Sequence, residues 1–202
     1  MNTELVCLNT TDASYRLILL HGWGADAEDL IPLGESLTKH AKKKIEIISL
    51  RAPEVHPQGV GRQWYPLFPT DWSVVPSVTQ VLKERINNLA TKKIPLEKTV
   101  ILGFSQGGAM ALASGSELPI AGLIGCSSYP HPNWLVPKRI SPIFLTHGTK
   151  DDVVPALAIE KIKQAISNSE VEIHIELFEG GHEIPQYLIP KIQLAINRWF
   201  DD

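Results

Sequence analysis

Short apolar runs alternate with helical periodicity from one end of this chain to the other. The pattern predicts strands at 4–8 (ELVCL), 15–21 (YRLILLH), 45–50 (IEIISL), 99–104 (TVILGF), 120–126 (IAGLIGC), 142–147 (PIFLTH) and 171–178 (VEIHIELF). Four of these are nearly unbroken Ile, Val, Leu and Phe, which is how strands buried on both faces of a mostly parallel sheet read. Leu30, Leu33 and Leu37 mark one face of a helix near 26–43, and Val78, Val81, Leu82, Ile86 and Leu89 mark another near 75–93. Leu157, Ile159, Ile162 and Ile166 give a third, and Leu188, Ile192, Ala195 and Trp199 a closing helix. Strand–helix alternation of this kind implies right-handed βαβ units in one doubly wound α/β sheet, a single domain over 1–202. The long irregular stretch Arg51–Trp72 is rich in Pro, Gly and aromatics, and loops of that length in a compact domain usually carry function.

Composition narrows the field. Hydrophobic residues make up 44% and charged residues 20% of the chain, and the net charge of −3 leaves no electrostatic footprint for nucleic acid. The basic cluster Lys39–Lys44 reads as the charged last turn of a helix rather than a patch for membranes or polyanions. Cys7 and Cys126 lie in apolar strand-like runs and form no C-x-x-C pair, so buried reduced thiols and a cytoplasmic setting are expected. The first fourteen residues lack the basic and apolar regions of a signal peptide. No apolar run approaches the roughly 18 residues of a membrane span, so no stable membrane insertion is expected. Monomer and homodimer are both compatible with this composition.

The candidate chemistry begins at GFSQGG, where Ser105 stands at a strand-to-helix join between Gly103 and Gly107. That spacing is a nucleophile elbow, a sharp turn that lifts a serine hydroxyl above the sheet. By itself the pattern arises by chance in about one chain of this length in fifteen, at ordinary Gly and Ser frequencies, so partners have to be found. A serine needs a base and an acid that orients it, following later strands at the carboxyl edge of the sheet. His174 sits mid-strand in EIHIE and reads as structural, whereas His182 follows the last strand on the loop FEGGHEIP. Asp151 and Asp152 both follow the strand PIFLTH, and spacing does not separate them; the other of the pair would cap the helix entered at Pro155. One oxyanion donor comes with the elbow, the N–H of Gln106, and the turn HGWG after an early strand offers a second at Trp23. His21 and His147, in His-Gly turns, read as hydrogen-bonding loop supports; no carboxylate-rich metal spacing accompanies them, and no metal or cofactor is called for.

The stretches LHGWGAD, RAPE, GRQWYPL, GFSQGGAMAL, HGTKDDVVP and GGHEIP occur in the order seen in the phospholipase/carboxylesterase group of α/β-hydrolases, which this chain resembles from about Arg16 to the closing helix. The resemblance implies an α/β-hydrolase fold, Ser105 as nucleophile, His182 as base, Asp151 rather than Asp152 as acid, and Trp23 and Gln106 as the oxyanion hole. GRQWYPL stands where eukaryotic acyl-protein thioesterases of the group have a small-residue loop and an SWFD-like sequence, so the likeness is greater to small bacterial carboxylesterases. Cap domains in this fold commonly enter between later strands, and the segment between Cys126 and Pro142 is too short for one. An open site is therefore expected, with Trp64, Tyr65 and Phe68, and further Trp23 and Trp134, either as walls for a small-molecule or lipid ester or thioester or as aromatics packed under a loop. Carboxylester hydrolysis of short to medium acyl chains is the leading expectation. The alternatives are thioesterase or lysophospholipase action on long acyl groups, a non-catalytic binding module, or other chemistry on the same triad.

Overall fold

A computed structural model describes residues 5–8 and 11–201. The strands are β1 (Leu5–Leu8), β2 (Tyr15–Leu20), β3 (Ile45–Leu50), β4 (Glu54–Val55), β5 (Arg62–Gln63), β6 (Thr99–Phe104), β7 (Gly122–Cys126), β8 (Ile143–Gly148) and β9 (Ile173–Phe178). The helices are α1 (Ile31–Thr38), α2 (Val75–Asn88), α3 (Gln106–Gly115), α4 (Leu157–Ala165) and α5 (Ile189–Asp201). Seven strands make one sheet in the order β1-β3-β2-β6-β7-β8-β9, parallel except for β1. All seven expected strands are present, although Glu4, the expected start of the first, lies outside the described residues.

Alternation along the central strands sorts their side chains into two cores. Ile18, Leu20 and Ile101 pack with α2, α3 and α4 on one face. Leu17, Leu19 and Leu102 pack with α1 and α5 on the other. A sheet covered on both faces explains why the central strands read as continuous apolar runs.

Four sequence-based expectations differ from the structure. The helix expected over 26–43 is a 3-10 turn, Ala27–Leu30, followed by α1, which stops at Thr38. The cluster Lys39–Lys44 therefore lies beyond the helix; continuing it would stack Lys39 on Lys43, a like-charge pair one turn apart. The helix expected over 75–93 closes at Asn88. Cys7 is exposed, because β1 is an edge strand, while Cys126 is buried in the centre and its thiol is pushed up to about 11. Within the irregular stretch 51–72, β4 and β5 form a short antiparallel hairpin. No helix among the described residues is long and apolar enough to cross a membrane.

Candidate active site

The loops at the carboxyl ends of β2, β6, β7, β8 and β9 line one cleft around Ser105. This residue adopts φ 54° and ψ −119°, a conformation that L-residues avoid and that is held at a cost of order 1–3 kcal/mol. Both glycines of the elbow are sterically required. A Cβ at Gly103 would collide with the carbonyl of Gly107, and one at Gly107 with the carbonyls of Leu20 and His21. The turn is pinned by Ser105 N–H donating to Cys126 O (2.8 Å) and by Ala109 N–H donating to Ser105 O (3.0 Å). Among the described residues the Ser105 hydroxyl has no hydrogen-bond partner.

The His21–Gly24 turn lies directly against the elbow: a Cβ at Gly22 would sit 3.5 Å from that of Ser105. His21 locks this turn in place. Its Nε2 accepts from Ala52 N–H (3.1 Å), so Nδ1 carries the proton and donates to Gly22 O (2.8 Å); burial lowers its pKa and keeps the ring neutral. The N–H groups of Trp23 and Gln106 carry no hydrogen bond among the described residues, a state avoided for buried donors unless something else is to occupy them.

The loops after β8 and β9 bring Asp151 and His182 together. His182 Nδ1 lies 2.8 Å from Asp151 Oδ2, while Asp151 Oδ1 accepts from Val153 N–H (3.0 Å) and Val154 N–H (2.8 Å). Burial pushes the Asp151 carboxyl up, but the bonds from His182, Val154 and Val153 outweigh it and hold its pKa below the ordinary carboxylate range. The Phe104 ring packs 4.8 Å from the imidazole. His147, a hydrogen-bonding support as expected, donates from Nε2 to Val154 O (2.7 Å). Asp152 points outward and caps nothing, correcting its expected role: α4 has no side-chain cap, and the N–H groups of the turn before it are taken by Asp151. His174 is an exposed strand residue stacked on Phe144 and bonded to Glu176 (2.8 Å).

Ser105 and His182 open on one cleft of about 680 Å³. Of the five candidate wall residues, Phe68 and Trp23 line it. Trp64 and Tyr65 are fully buried beneath the loop, and Trp134 packs against the core rather than the cleft. The reason is a polar lattice. The Gln106 side chain accepts from Trp64 N–H (2.9 Å) and donates to Tyr65 O (2.8 Å), and Trp64 Nε1–H donates to His21 O (2.9 Å). These bonds draw the two aromatics inward. The Tyr65 hydroxyl bonds Tyr129 Oη (2.7 Å) and His131 Nε2 (2.9 Å). Burial pushes Tyr129 up to about 12 and His131 down to about 4, so both are neutral at neutral pH. Sequence reasoning missed the cleft residues Leu67, Trp72, Tyr129, Val153, Leu157 and Lys161. A usable signal for two of them was the apolar run VVPAL, which directly follows the acidic pair.

The profile of the family described as Phospholipase/Carboxylesterase matches residues 1–200. Acyl-protein thioesterase 1 of Saccharomyces cerevisiae is 29% identical over 201 residues, covering 84% of each chain. Among solved structures, esterase PE8 superposes with a TM-score of 0.85 at 26% identity, covering 96% of this chain and 97% of its own. The Bacillus cereus carboxylesterase gives 0.84 at 20% identity, covering 97% and 94%, a likeness of fold.

Proposed function

This chain belongs to the phospholipase/carboxylesterase family of α/β-hydrolases and is an esterase-type hydrolase, and we propose that it cleaves short- to medium-chain carboxylic esters through an acyl-enzyme formed on Ser105. One observation carries the assignment: His182, bonded to Asp151, opens on the same cleft as Ser105, beside the N–H groups of Trp23 and Gln106, which have no hydrogen-bond partner among the described residues. In this reading Ser105 Oγ attacks the carbonyl carbon while His182 Nε2 takes its proton. Asp151 fixes the imidazole with its proton on Nδ1 and stabilises the imidazolium that forms. The carbonyl oxygen gathers charge against the N–H groups of Trp23 and Gln106, each worth about 3–4 kcal/mol in such sites. The C–O bond then breaks, the leaving alcohol takes the proton from His182, and water repeats the sequence to release the acid and restore Ser105.

A second reading, hydrolysis of long-chain acyl thioesters, is favoured by the apolar rim. Phe68, Val153 and Leu157 are 77%, 64% and 63% exposed where the cleft meets solvent, so a longer chain could lie along them. Relatives named acyl-protein thioesterase 1 make that reading concrete. Unpaired Cys7 and Cys126 support the cytoplasm as the proposed compartment. The deciding experiment is kcat/KM for p-nitrophenyl esters and matched thioesters from acetyl to palmitoyl, with Ser105→Ala as the blank. A maximum at short esters supports the first reading and one at long thioesters the second. Activity no greater than the blank overturns both.

A further inference from the structure

One charged side chain in the cleft has no part in the chemistry above. α4 presents Leu157, Ala158 and Lys161 to the cleft on one face, three and four residues apart. Among the described residues lining it, Lys161 is the sole cation besides what His182 becomes on protonation, and no carboxylate lines it at all. Asp151 is buried behind His182 with both oxygens engaged. Lys161 makes no ion pair or hydrogen bond among the described residues, although nearby lysines do: Lys163 holds Glu160 at 3.1 Å, and Lys150 holds Glu179. The acid next to Lys161 in the chain is thus already occupied. Lys161 is exposed at the edge of this apolar cleft, and in a chain of net charge −3 its positive charge there is a local feature rather than a bulk one.

We propose that Lys161 selects esters bearing an anionic group, a carboxylate or phosphate, at the end remote from the scissile carbonyl. This rests on the esterase reading of the same cleft. Apolar walls of low dielectric focus the field of the ammonium along the cleft. An anionic substituent gains a charge-assisted hydrogen bond there, whereas a plain alkyl chain leaves the ammonium to water.

The test compares matched pairs in wild type, Lys161→Ala and Lys161→Glu. On the acid side, p-nitrophenyl half-esters of glutaric and adipic acids are set against p-nitrophenyl valerate and hexanoate. On the alcohol side, the butyryl ester of glycol monophosphate is set against butyl butyrate. The anionic-to-neutral ratio of kcat/KM should fall about three- to tenfold in Lys161→Ala, the range of a partly solvated ion pair or charged hydrogen bond, and further in Lys161→Glu. A fall on one arm assigns the anion to that side of the substrate; ratios unchanged on both arms overturn the proposal. A second readout needs no turnover. Monoethyl adipate and ethyl hexanoate are titrated into Ser105→Ala, with and without Lys161→Glu, following fluorescence of Trp23 and Trp72 in the cleft. If hydrolysis never exceeds the Ser105→Ala blank, the Ser105 reading fails, and this titration still decides for or against Lys161: equal affinities for the two esters count against it.

Discussion

The two halves of the cleft are built on different principles. The floor and the wall of 62–65 and 129–131 are tied into the core by short polar contacts: Asp151 to His182, Gln106 to Trp64 and Tyr65, and Tyr65 to Tyr129 and His131. The exposed rim, Phe68 together with the stretch from Val153 to Lys161, has exposed apolar side chains, a helix start without a cap, and a lysine with no partner among the described residues. Buried polar groups fix one geometry because every alternative leaves them unsatisfied. An exposed apolar rim imposes no such condition. Reactivity should therefore depend on the tied half, and choice of substrate on the loose one.

The largest expected effect tests the tied half at its centre. Asp151→Asn should lower kcat about 10⁴-fold, the scale known for losing the acid of such a triad, while Asp152→Asn stays within about twofold, since surface changes are usually nearly neutral. Steady-state kinetics on one short ester decides this. The reverse ranking would move the acid to the exposed position and break the distinction between halves.

How far the sequence revealed these halves follows from the range of the interactions. Strands and elbow are local: apolar runs mark the sheet, and only glycine fits beside the carbonyls of Gly107 and Leu20, so G-x-S-x-G announces its own geometry. Asp151 and Asp152 looked alike because both follow the same strand; what separates them is contact with His182, thirty-one residues on. Trp64 and Tyr65 read as cleft walls because an aromatic in a loop can face either way. The partner that turns them inward, Gln106, is about forty residues distant, and nothing local in the sequence pairs its side chain with that loop.

That correction gives the next prediction. Trp64→Ala empties a fully buried site and should cost about 3–5 kcal/mol in chemical denaturation, as large aromatic truncations do. Activity should drop to a similar extent for every acyl length, because the whole loop loosens. A loss confined to long chains would return Trp64 to the cleft wall.

Acid should loosen the same half. Burial holds His131 near pKa 4 when folded, against about 6.5 in the unfolded chain. Between those values the unfolded state binds a proton that the folded state does not, so stability falls as pH drops from about 6.5 through about 4. The total is about 3 kcal/mol. Buried His21, also lowered, adds in the same direction, as does Asp151, whose contribution is lost as pH falls through its depressed pKa. His131→Gln keeps a hydrogen-bonding side chain at the Tyr65 hydroxyl without the titration, and should flatten the profile over that window. An unchanged slope in urea melts between pH 6.5 and 4 would show that the network opens to water before it is protonated.

The smallest effect belongs to the loose half. Phe68 is 77% exposed and touches Trp23 at a ring distance of 5.3 Å, so truncating it leaves no core cavity. Phe68→Ala should change stability by under about 0.5 kcal/mol, as exposed substitutions do. It should still remove apolar surface that a bound chain would cover, at about 25 cal/mol per Å². Hence kcat/KM for octanoyl esters should drop about two- to fivefold through KM, with acetyl esters hardly affected. Trp64 and Phe68, four residues apart on one loop, then give opposite signatures: one costs stability at every chain length, the other affinity at long ones. If Phe68→Ala destabilised the fold as Trp64→Ala does, the loop would be a single cooperative unit, and the cleft would have no loose side there on which specificity could be adjusted without disturbing reactivity.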